Sequence, residues 1–565
     1  MWQKVREHLG FISIICFYLV LFVPFLGQVH LFDWDEINFA EAAREMIVSG
    51  DWLNVQINYE PFWEKPPLFI WLQAYSMSIF GVNEYAARFP NVVIGLVTLF
   101  VLYLSVYRRY GKQAGVFTLL MYIGSVTPHF YFKSGIIDPL FNLFIFCSTL
   151  YLVRSTENKR IANFFWAGLF LGLAVITKGP VCLLIVGLTG LVYQLYYRIN
   201  FYTTRGLLFL LGGLLVFPVL FFGIQVYQSG WWFLQEFIIY QIDLFRYPIA
   251  SHGQPFYYHF IVLLIGCFPL FVLVLKPIVS KTEIRGDANY VRWMKVLFWV
   301  VLIVFSSVTT KIVHYSSMCY IPLAAVGGVW LSRYTVLTRF SRILLGAVGG
   351  VWVLILAACG SFYLIDINKL LSRHISDEFV LAQLQTEVSW SYVPIVLAMI
   401  LAGVLFKTLI KPSKISISSL LVANSLVITL LMLSFVSQVE QTVQGNWITQ
   451  LEKYKGKEMA HFTFGFKSYA HLFYAEQASF DDLKEAKKTI LKRLKLGDSH
   501  NLNEEERLSF HVNLRDYVVR ETNIPISISA KVQNFGEIHE IYPELYRVYE
   551  ANGYGVYERT KAVDK

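Results

Sequence analysis

Long apolar runs recur along most of this 565-residue chain, and they constrain its fold more than any other feature. A helix that crosses the roughly 30 Å hydrocarbon core of a bilayer needs about 20 apolar residues, and inside that core the backbone must satisfy its own hydrogen bonds. With 56% hydrophobic and only 15% charged residues, the composition also lies outside the range of soluble domains. The sequence therefore predicts an all-α polytopic membrane protein with about 13 transmembrane helices. The runs lie near residues 11–27, 90–107, 114–132, 139–153, 162–177, 180–197, 206–224, 259–275, 294–309, 315–332, 343–364, 393–410 and 416–437.

Lysines and arginines cluster in alternate connections between these runs, for example at Arg108 and Arg109 and at Arg154 and Lys159. Because such residues accumulate in cytoplasmic loops, the pattern predicts a cytoplasmic N-terminus, and an odd number of spans then puts the C-terminus outside. The N-terminal run lacks a small-x-small cleavage pattern, so we expect it to remain as an anchor. The apolar segment at residues 66–81 is short and contains polar residues, which favours an interfacial or re-entrant helix.

The composition changes after about residue 438, where charged and polar residues become frequent. Residues 1–438 are predicted to form the membrane domain, with a first external loop at residues 28–89, and residues 439–565 a small soluble α/β extracytoplasmic domain. The charged stretch at residues 484–495 is predicted to be a solvated helix face. Six cysteines are scattered singly, which argues against a disulfide framework or a thiolate metal site. Basic residues of the predicted cytoplasmic loops explain most of the net charge of +9, so no nucleic-acid partner is expected.

The first external loop is rich in acidic residues immediately after the first predicted span. Four of them fall within nine residues: Asp33, Asp35, Glu36 and Glu41. A helix beginning near Asp35 would account for acids in its first turn, and Glu41 would pair with Arg44 three residues further on. We assign this structural account to Asp33, Glu41 and Glu45, and we expect a functional role for Asp35.

The same loop carries a longer pattern of residues that includes these acids. The pattern comprises Asp35-Glu36, Phe39-Ala40-Glu41, Arg44-Glu45-Met46, Gly50-Asp51-Trp52 and Glu64-Lys65-Pro66-Pro67-Leu68. It resembles the first external loop of bacterial aminoarabinose transferases and of the related protein O-mannosyltransferase-like enzymes. These are GT-C glycosyltransferases that use polyprenyl-phosphate sugars, and the resemblance extends over roughly residues 10–330. It implies the GT-C fold type, a membrane-embedded catalytic domain and an external C-terminal domain.

The resemblance implies a role for two aspartates. Glycosyl transfer from a lipid phosphate needs a base that takes the proton of the acceptor, and the matching position is Asp35. The segment at residues 133–140 resembles a second family motif, in which Asp138 would position donor or acceptor at the external start of a span. An alternative account of Asp138 is an Asp-Pro helix start, with Pro139 at the first helical position. The two roles can coexist.

The departing phosphate needs positive charge, and the resemblance implies which residues supply it. Lys65 fits this role directly. In the family, the Glu of the Glu-Lys-Pro-Pro motif and a distant His bind a divalent ion, and these correspond to Glu64 and His252; the ion would be Zn, Mg or Mn. Two ligands are fewer than a zinc site normally shows, so a simple hydrogen-bonded pair is the alternative.

Further donor phosphate-binding candidates come from other external turns. Tyr315 matches a family tyrosine that reaches the phosphate, and Lys311 lies four residues before it; an interfacial tyrosine and a lysine that extends to the membrane surface are the alternatives. Family members can place an arginine shortly after the metal histidine, whereas this chain has tyrosines there, and Arg246 upstream is the possible substitute. Lys178 lies in a tight Lys-Gly-Pro turn and would face the site or cap the preceding helix.

Together these features predict an integral membrane glycosyltransferase. It would move a sugar from a polyprenyl-phosphate donor to a lipid A-like or other acceptor, with inversion, at the external face of the bacterial inner membrane. The alternatives are a protein O-glycosyltransferase of the same type, a transporter, and a receptor or scaffold. A transporter would place ionisable groups near the midplane and often shows inverted repeats, neither of which is evident. A receptor leaves the acidic loop without a purpose. The sequence does not choose the sugar or the acceptor.

Overall fold

Helices dominate the computed structural model of this protein, as the apolar runs predict. The structure describes residues 2–33, 35–246, 253–280, 288–334, 337–365, 374–496 and 504–559, together with positions 369, 372 and 502. Within these residues, six helices are long and apolar enough to cross a membrane. They are Glu84–Tyr110, Thr204–Ser229, Ala288–Ser307, Arg339–Leu364, Val393–Ile410 and the continuous helical stretch Lys414–Glu452.

The remaining predicted spans are also helical, but they are shorter, less apolar or interrupted. The predicted span at residues 114–132 breaks at Gly124, and the one at residues 259–275 contains a π-helical turn at Val262–Gly266. The predicted multi-span, all-α character of the membrane domain is confirmed. The helices of these remaining spans are Trp2–Phe22, Lys112–Ile123, Val126–Tyr131, Asp138–Asn158, Ala162–Lys178, Val181–Tyr197, Tyr258–Ile261, Leu270–Val279 and Tyr320–Arg333, the last preceded by a 3-10 helix at Val313–Cys319.

Two helices lie between the first span and the long helix Glu84–Tyr110, and a third lies in a later connection. Asp35–Ser49 and Leu68–Phe80 pack against each other and against the start of Glu84–Tyr110, with the small antiparallel pair β1 (Gln56–Ile57) and β2 (Glu60–Pro61) between them. Leu68–Phe80 has 13 residues, too few to span a bilayer, as predicted for the segment at residues 66–81. It leaves Tyr75 and Ile79 exposed while burying Gln73, which suits a helix lying along the membrane surface. The helix Trp232–Arg246 lies in a later connection at the same end of the bundle.

The C-terminal region forms the predicted small α/β domain. Its four-stranded sheet has the order β3-β4-β6-β5, in which β3 (Ala460–Phe464) runs parallel to β4 (Ile526–Lys531), while β5 (Leu545–Ala551) and β6 (Tyr554–Arg559) are antiparallel neighbours. The predicted boundary at residue 438 lies inside the continuous stretch Lys414–Glu452, so the last span leads into this domain without a linker. The other helices of this domain are Ala470–Ala475, Asp481–Arg493, Glu504–Glu521 and Phe535–Ile541, whereas Glu378–Leu384 lies in the connection between Arg339–Leu364 and Val393–Ile410.

Candidate active site

The helix that carries Asp35 begins at that residue, as predicted, and its neighbour Glu36 has a structural role. Glu36 is buried, pairs with Arg88 (Nε to Oε1, 2.8 Å) and accepts hydrogen bonds from the backbone N–H groups of Phe32 and Gly135. Burial raises the pKa of Glu36, but Arg88 and the two N–H groups outweigh this effect, so its pKa is lowered. The Gly135 contact joins the first loop to the segment that leads into Asp138.

Glu41 and Glu45, two of the loop acids that we assigned to structure, make structural contacts. Glu41 receives two hydrogen bonds from the Arg44 guanidinium, at 2.6 and 2.7 Å. Glu45 accepts the backbone N–H groups of Asn58 and Tyr59, two residues with positive φ in the turn between β1 and β2. Asp35 differs from both, because its side chain is 39% exposed and no lysine or arginine pairs with it among the described residues.

Asp138 lies at the start of the helix Asp138–Asn158, followed by Pro139, and its carboxylate is buried. Its Oδ1 pairs with the Lys178 ammonium, while its Oδ2 has no hydrogen-bond partner within the described part of the chain. No side chain caps the helix start, so helix capping does not explain the position of this carboxylate. The Lys178 ammonium binds Asp138 and does not extend to solvent. Lys178 therefore faces the candidate site.

The turn that presents Lys178 depends on Gly179. This glycine has φ +115°, and a Cβ at its position would stand 2.8 Å from the Gln241 side-chain oxygen of the helix Trp232–Arg246. A larger residue would meet both backbone strain and a clash. The turn therefore lies directly against that helix, and the Lys178 Nζ lies 5.1 Å from the centre of the Tyr315 ring.

His314 brings the two predicted catalytic aspartates together. Its Nε2 is 3.5 Å from Asp35 Oδ2 and 3.9 Å from Asp138 Oδ2. Burial lowers the pKa of His314 more than the two aspartates raise it, with Lys178 adding to the decrease, so the ring is neutral at neutral pH. Asp35 is therefore left as a carboxylate without a paired cation. His314 was not among the residues predicted for the site, although it directly precedes Tyr315 in the sequence.

Lys65 and Glu64 meet the helix Trp232–Arg246 at Tyr240. The Lys65 Nζ lies 4.9 Å from the centre of the Tyr240 ring, and the Tyr240 hydroxyl donates a hydrogen bond of 3.0 Å to Glu64 Oε2. Burial and the Glu64 carboxylate raise the pKa of Tyr240, so this phenol stays protonated. The charge of Lys65 also acts on Asp138 and His314, which places it at the same cluster.

The other three predicted site residues are Lys311, Arg246 and His252. Lys311 is buried and donates a 2.7 Å hydrogen bond to the backbone carbonyl of Gln254, an anchoring contact; its phosphate role stays a prediction. Arg246 ends its helix, and its side chain lies outside the described residues. His252 also lies outside them. Among the residues that the structure describes, no group of three His, Cys, Asp or Glu side chains is arranged to hold a metal ion, and Glu64 already accepts the Tyr240 hydroxyl.

The C-terminal domain holds the loop that precedes Glu64 and Lys65. The Arg507 guanidinium lies 4.0 Å from the centre of the Trp63 ring. Glu60 in β2 pairs with Lys487 at 3.3 Å and with His511 at 3.4 Å. The charged stretch at residues 484–495 was predicted to be a solvated helix face; Lys487 departs from this, because packing on the first loop buries most of its side chain. Sequence patterns gave no signal of this contact.

This chain is similar to several known membrane glycosyltransferases. Residues 64–222 match the family model of dolichyl-phosphate-mannose-protein mannosyltransferases, a stretch that includes Glu64, Lys65, Asp138 and Lys178. An undecaprenyl phosphate-alpha-4-amino-4-deoxy-L-arabinose arabinosyl transferase of Photorhabdus laumondii is 26% identical over 323 residues, which cover 56% of this chain and 58% of the relative. The enzyme of the same name from Shewanella sediminis is 27% identical over 317 residues, covering 55% and 57%. The matches therefore span less than two thirds of either relative.

A solved structure shares the whole architecture. The crystal structure of ArnT from Cupriavidus metallidurans bound to undecaprenyl phosphate has a TM-score of 0.73 to this chain at 17% identity, covering 99% of this chain and 100% of that one. The predicted GT-C fold, with its small C-terminal sheet domain, and the predicted resemblance to aminoarabinose transferases and O-mannosyltransferase-like enzymes are confirmed. The chain is a multi-pass membrane protein with this fold.

Proposed function

We propose that this chain, which has the fold of ArnT, is a membrane glycosyltransferase that moves a sugar from a polyprenyl-phosphate donor to an acceptor. The observation that supports this most strongly is the meeting of Asp35, Asp138 and His314 beside Lys65 and Lys178. One carboxylate without a paired cation lies next to a cluster of ammonium groups, which suits a reaction that takes a proton and releases a phosphate.

In this proposal Asp35 is the general base. It accepts the proton of the acceptor hydroxyl while the acceptor oxygen attacks the anomeric carbon, and the bond from that carbon to the phosphate oxygen breaks with inversion. The phosphate leaves with the bonding electron pair as polyprenyl phosphate. Asp138 is tied to Lys178 and is less suited to take a proton, so we assign it the positioning of Lys178 and of the reacting groups.

Lys65, Lys178 and Tyr315 are the proposed partners of the departing phosphate. Two ammonium groups and a phenol there would stabilise the negative charge that builds up on the leaving oxygen. Lys311 and Arg246 remain predicted further contacts. A divalent ion held by Glu64 and His252 would add positive charge when bound, and this ion remains a prediction to be checked by metal analysis of the purified protein.

The names of the relatives favour a 4-amino pentose as the sugar, and a lipid A-like lipid is the first candidate acceptor, as the sequence predicts. The match to protein mannosyltransferases over residues 64–222 keeps a protein hydroxyl as the second candidate acceptor. The basic residues of alternate connections support an inner-membrane location, with the site and the C-terminal domain outside the cytoplasm. Both substrates would then reach the site from the outer leaflet.

The test is native mass spectrometry of the detergent-purified chain with added polyprenyl phosphate. We expect the wild type to bind it and Lys65→Ala to bind it at least about tenfold more weakly, because a charged contact to phosphate is lost. Lys295→Ala is the matched control, since this half-buried lysine donates to the Ser280 carbonyl at the opposite end of the bundle. Absence of binding in the wild type would contradict the proposed donor class. A choice between lipid and protein acceptors then requires competition between the two in a transfer assay.

A further inference from the structure

A cavity lies beside the candidate active site, between the first span and the last. Its volume is about 240 Å³, and His314 forms part of its wall. Phe25 and Val29 line it from the end of the first span, and Met432 and Val436 line it from the π-helical turn of the last span. Its walls are therefore mostly apolar.

Lys133 is the exceptional residue of this cavity. Its side chain is only 7% exposed and lines the cavity; among the described residues its ammonium has no hydrogen-bond or ion-pair partner, and it lies 5.5 Å from the centre of the Phe22 ring. Burial lowers the pKa of Lys133 to about 8. A buried ammonium without a carboxylate or a hydrogen-bond acceptor is costly, so the fold gives up stability to keep it there.

The other charged residues of the wall do not neutralise Lys133. Arg88 and Glu36 form a closed pair, in which the Arg88 guanidinium also donates to the backbone carbonyls of Leu26, Val29 and His30. Every strong donor of Arg88 is used, and the pair adds no net charge. The cavity therefore combines apolar walls with one uncompensated positive charge.

We propose that this cavity is the acceptor subsite and that it binds the phosphate of an anionic lipid on the Lys133 ammonium. The hydrocarbon chain leaves between Phe25 and Met432. The lipid source is favoured over a free anion because the walls are apolar and the Phe25 ring is 52% exposed at the mouth. This inference rests on the proposed function and specifies its acceptor class.

The position of His314 explains why this subsite serves the acceptor and not the donor. His314 lines the cavity, and its Nε2 is 3.5 Å from Asp35, so a lipid anchored on Lys133 presents its nucleophilic oxygen toward the proposed base. The donor phosphate is assigned to Lys65, Lys178 and Tyr315, which do not line this cavity. The two lipid substrates thus approach Asp35 from separate sides.

The experiment measures binding of dodecyl phosphate to the full-length purified protein by native mass spectrometry, in a Lys65→Ala background that weakens the donor site. We expect Lys133→Met to weaken binding about tenfold or more and Lys133→Arg to keep most of it, because arginine retains the charge. Lys295→Met is the matched control and should bind as the Lys65→Ala parent does. In the Lys65→Ala parent, dodecanol should bind more weakly than dodecyl phosphate. The affinity for dodecanol should be the same in the parent and in Lys133→Met.

The possible results separate the two proposals. Unchanged binding of dodecyl phosphate in Lys133→Met overturns the subsite, whether or not the wild type binds polyprenyl phosphate. Binding of inorganic phosphate as tight as that of dodecyl phosphate overturns the lipid assignment and leaves a free-anion site. Failure of the wild type to bind polyprenyl phosphate, with Lys133-dependent binding of dodecyl phosphate intact, contradicts the proposed donor and retains a lipid-anion site.

Discussion

Replacing Asp35 and Asp138 separately by asparagine should distinguish a reacting carboxylate from a positioning one. The Asp35 side chain is 39% exposed, and its nearest basic partner is the neutral His314 ring at 3.5 Å. Exposed pairs contribute about 0–1 kcal/mol to stability, so Asp35→Asn should leave the thermal midpoint close to that of the wild type. A general base accelerates a reaction by about 10²–10⁴-fold, so transfer should fall by at least about a hundredfold.

Asp138→Asn should behave differently, because its carboxylate is only 4% exposed and pairs with Lys178. Breaking a buried ion pair from one side costs about 3–5 kcal/mol, since the remaining ammonium is left without its partner. We therefore expect a lower thermal midpoint together with reduced transfer. The double variant Asp138→Asn/Lys178→Met should recover most of the stability and none of the transfer.

The assay combines two measurements on the same preparations. Intrinsic tryptophan fluorescence during heating gives the midpoint, and release of polyprenyl phosphate from a sugar-charged donor gives the transfer rate. Asp35→Asn with more than about a tenth of the wild-type rate would refute the base assignment. A midpoint of Asp35→Asn as low as that of Asp138→Asn would refute the reasoning from exposure, because it would make Asp35 a structural carboxylate.

Three other outcomes are expected from the contacts around the site. Arg507→Met should slow transfer with little change in stability, because the guanidinium holds Trp63 next to the Glu64-Lys65 motif. Lys484→Met, in an exposed pair, is the control. Equal transfer rates in the two variants would contradict the coupling between Arg507 and the site. Arg88→Met should destabilise the protein by about 3–5 kcal/mol by leaving Glu36 buried and unpaired, with recovery in Arg88→Met/Glu36→Gln measured by thermal midpoint. Burial lowers the pKa of His471 to about 3 from its ordinary value near 6.5, so the unfolded chain gains a proton that the folded domain does not. Stability from this group is full above pH 6.5 and decreases toward pH 3, by up to about 1.4 kcal/mol per pH unit, and His471→Phe should flatten that part of the profile.

Local chemistry determined the parts of this protein that the sequence alone could predict. Each span is specified by its own apolar residues, because about 20 of them are needed to cross the bilayer wherever they occur in the chain. The helix start at Asp35 and the Glu41–Arg44 pair are equally local, since both depend on residues within one or two helical turns. The motif around Glu64 and Lys65, which indicated the fold family, is also local, because its residues are adjacent in the sequence.

Tertiary structure decided which of these residues meet. Asp35, Asp138 and His314 come from three distant segments, and their contact depends on how the helices pack and on the close approach of Gly179 to Gln241. Packing of distant segments also forms the contact between Arg507 and Trp63 in the loop before Glu64. It forms the cavity around Lys133 as well. Hydropathy and short motifs report on neighbours along the chain, whereas a site is a set of neighbours in space. The sequence therefore determined the membrane helices and the reactive loop, and only their packing determined the electrostatic environment of each charged group.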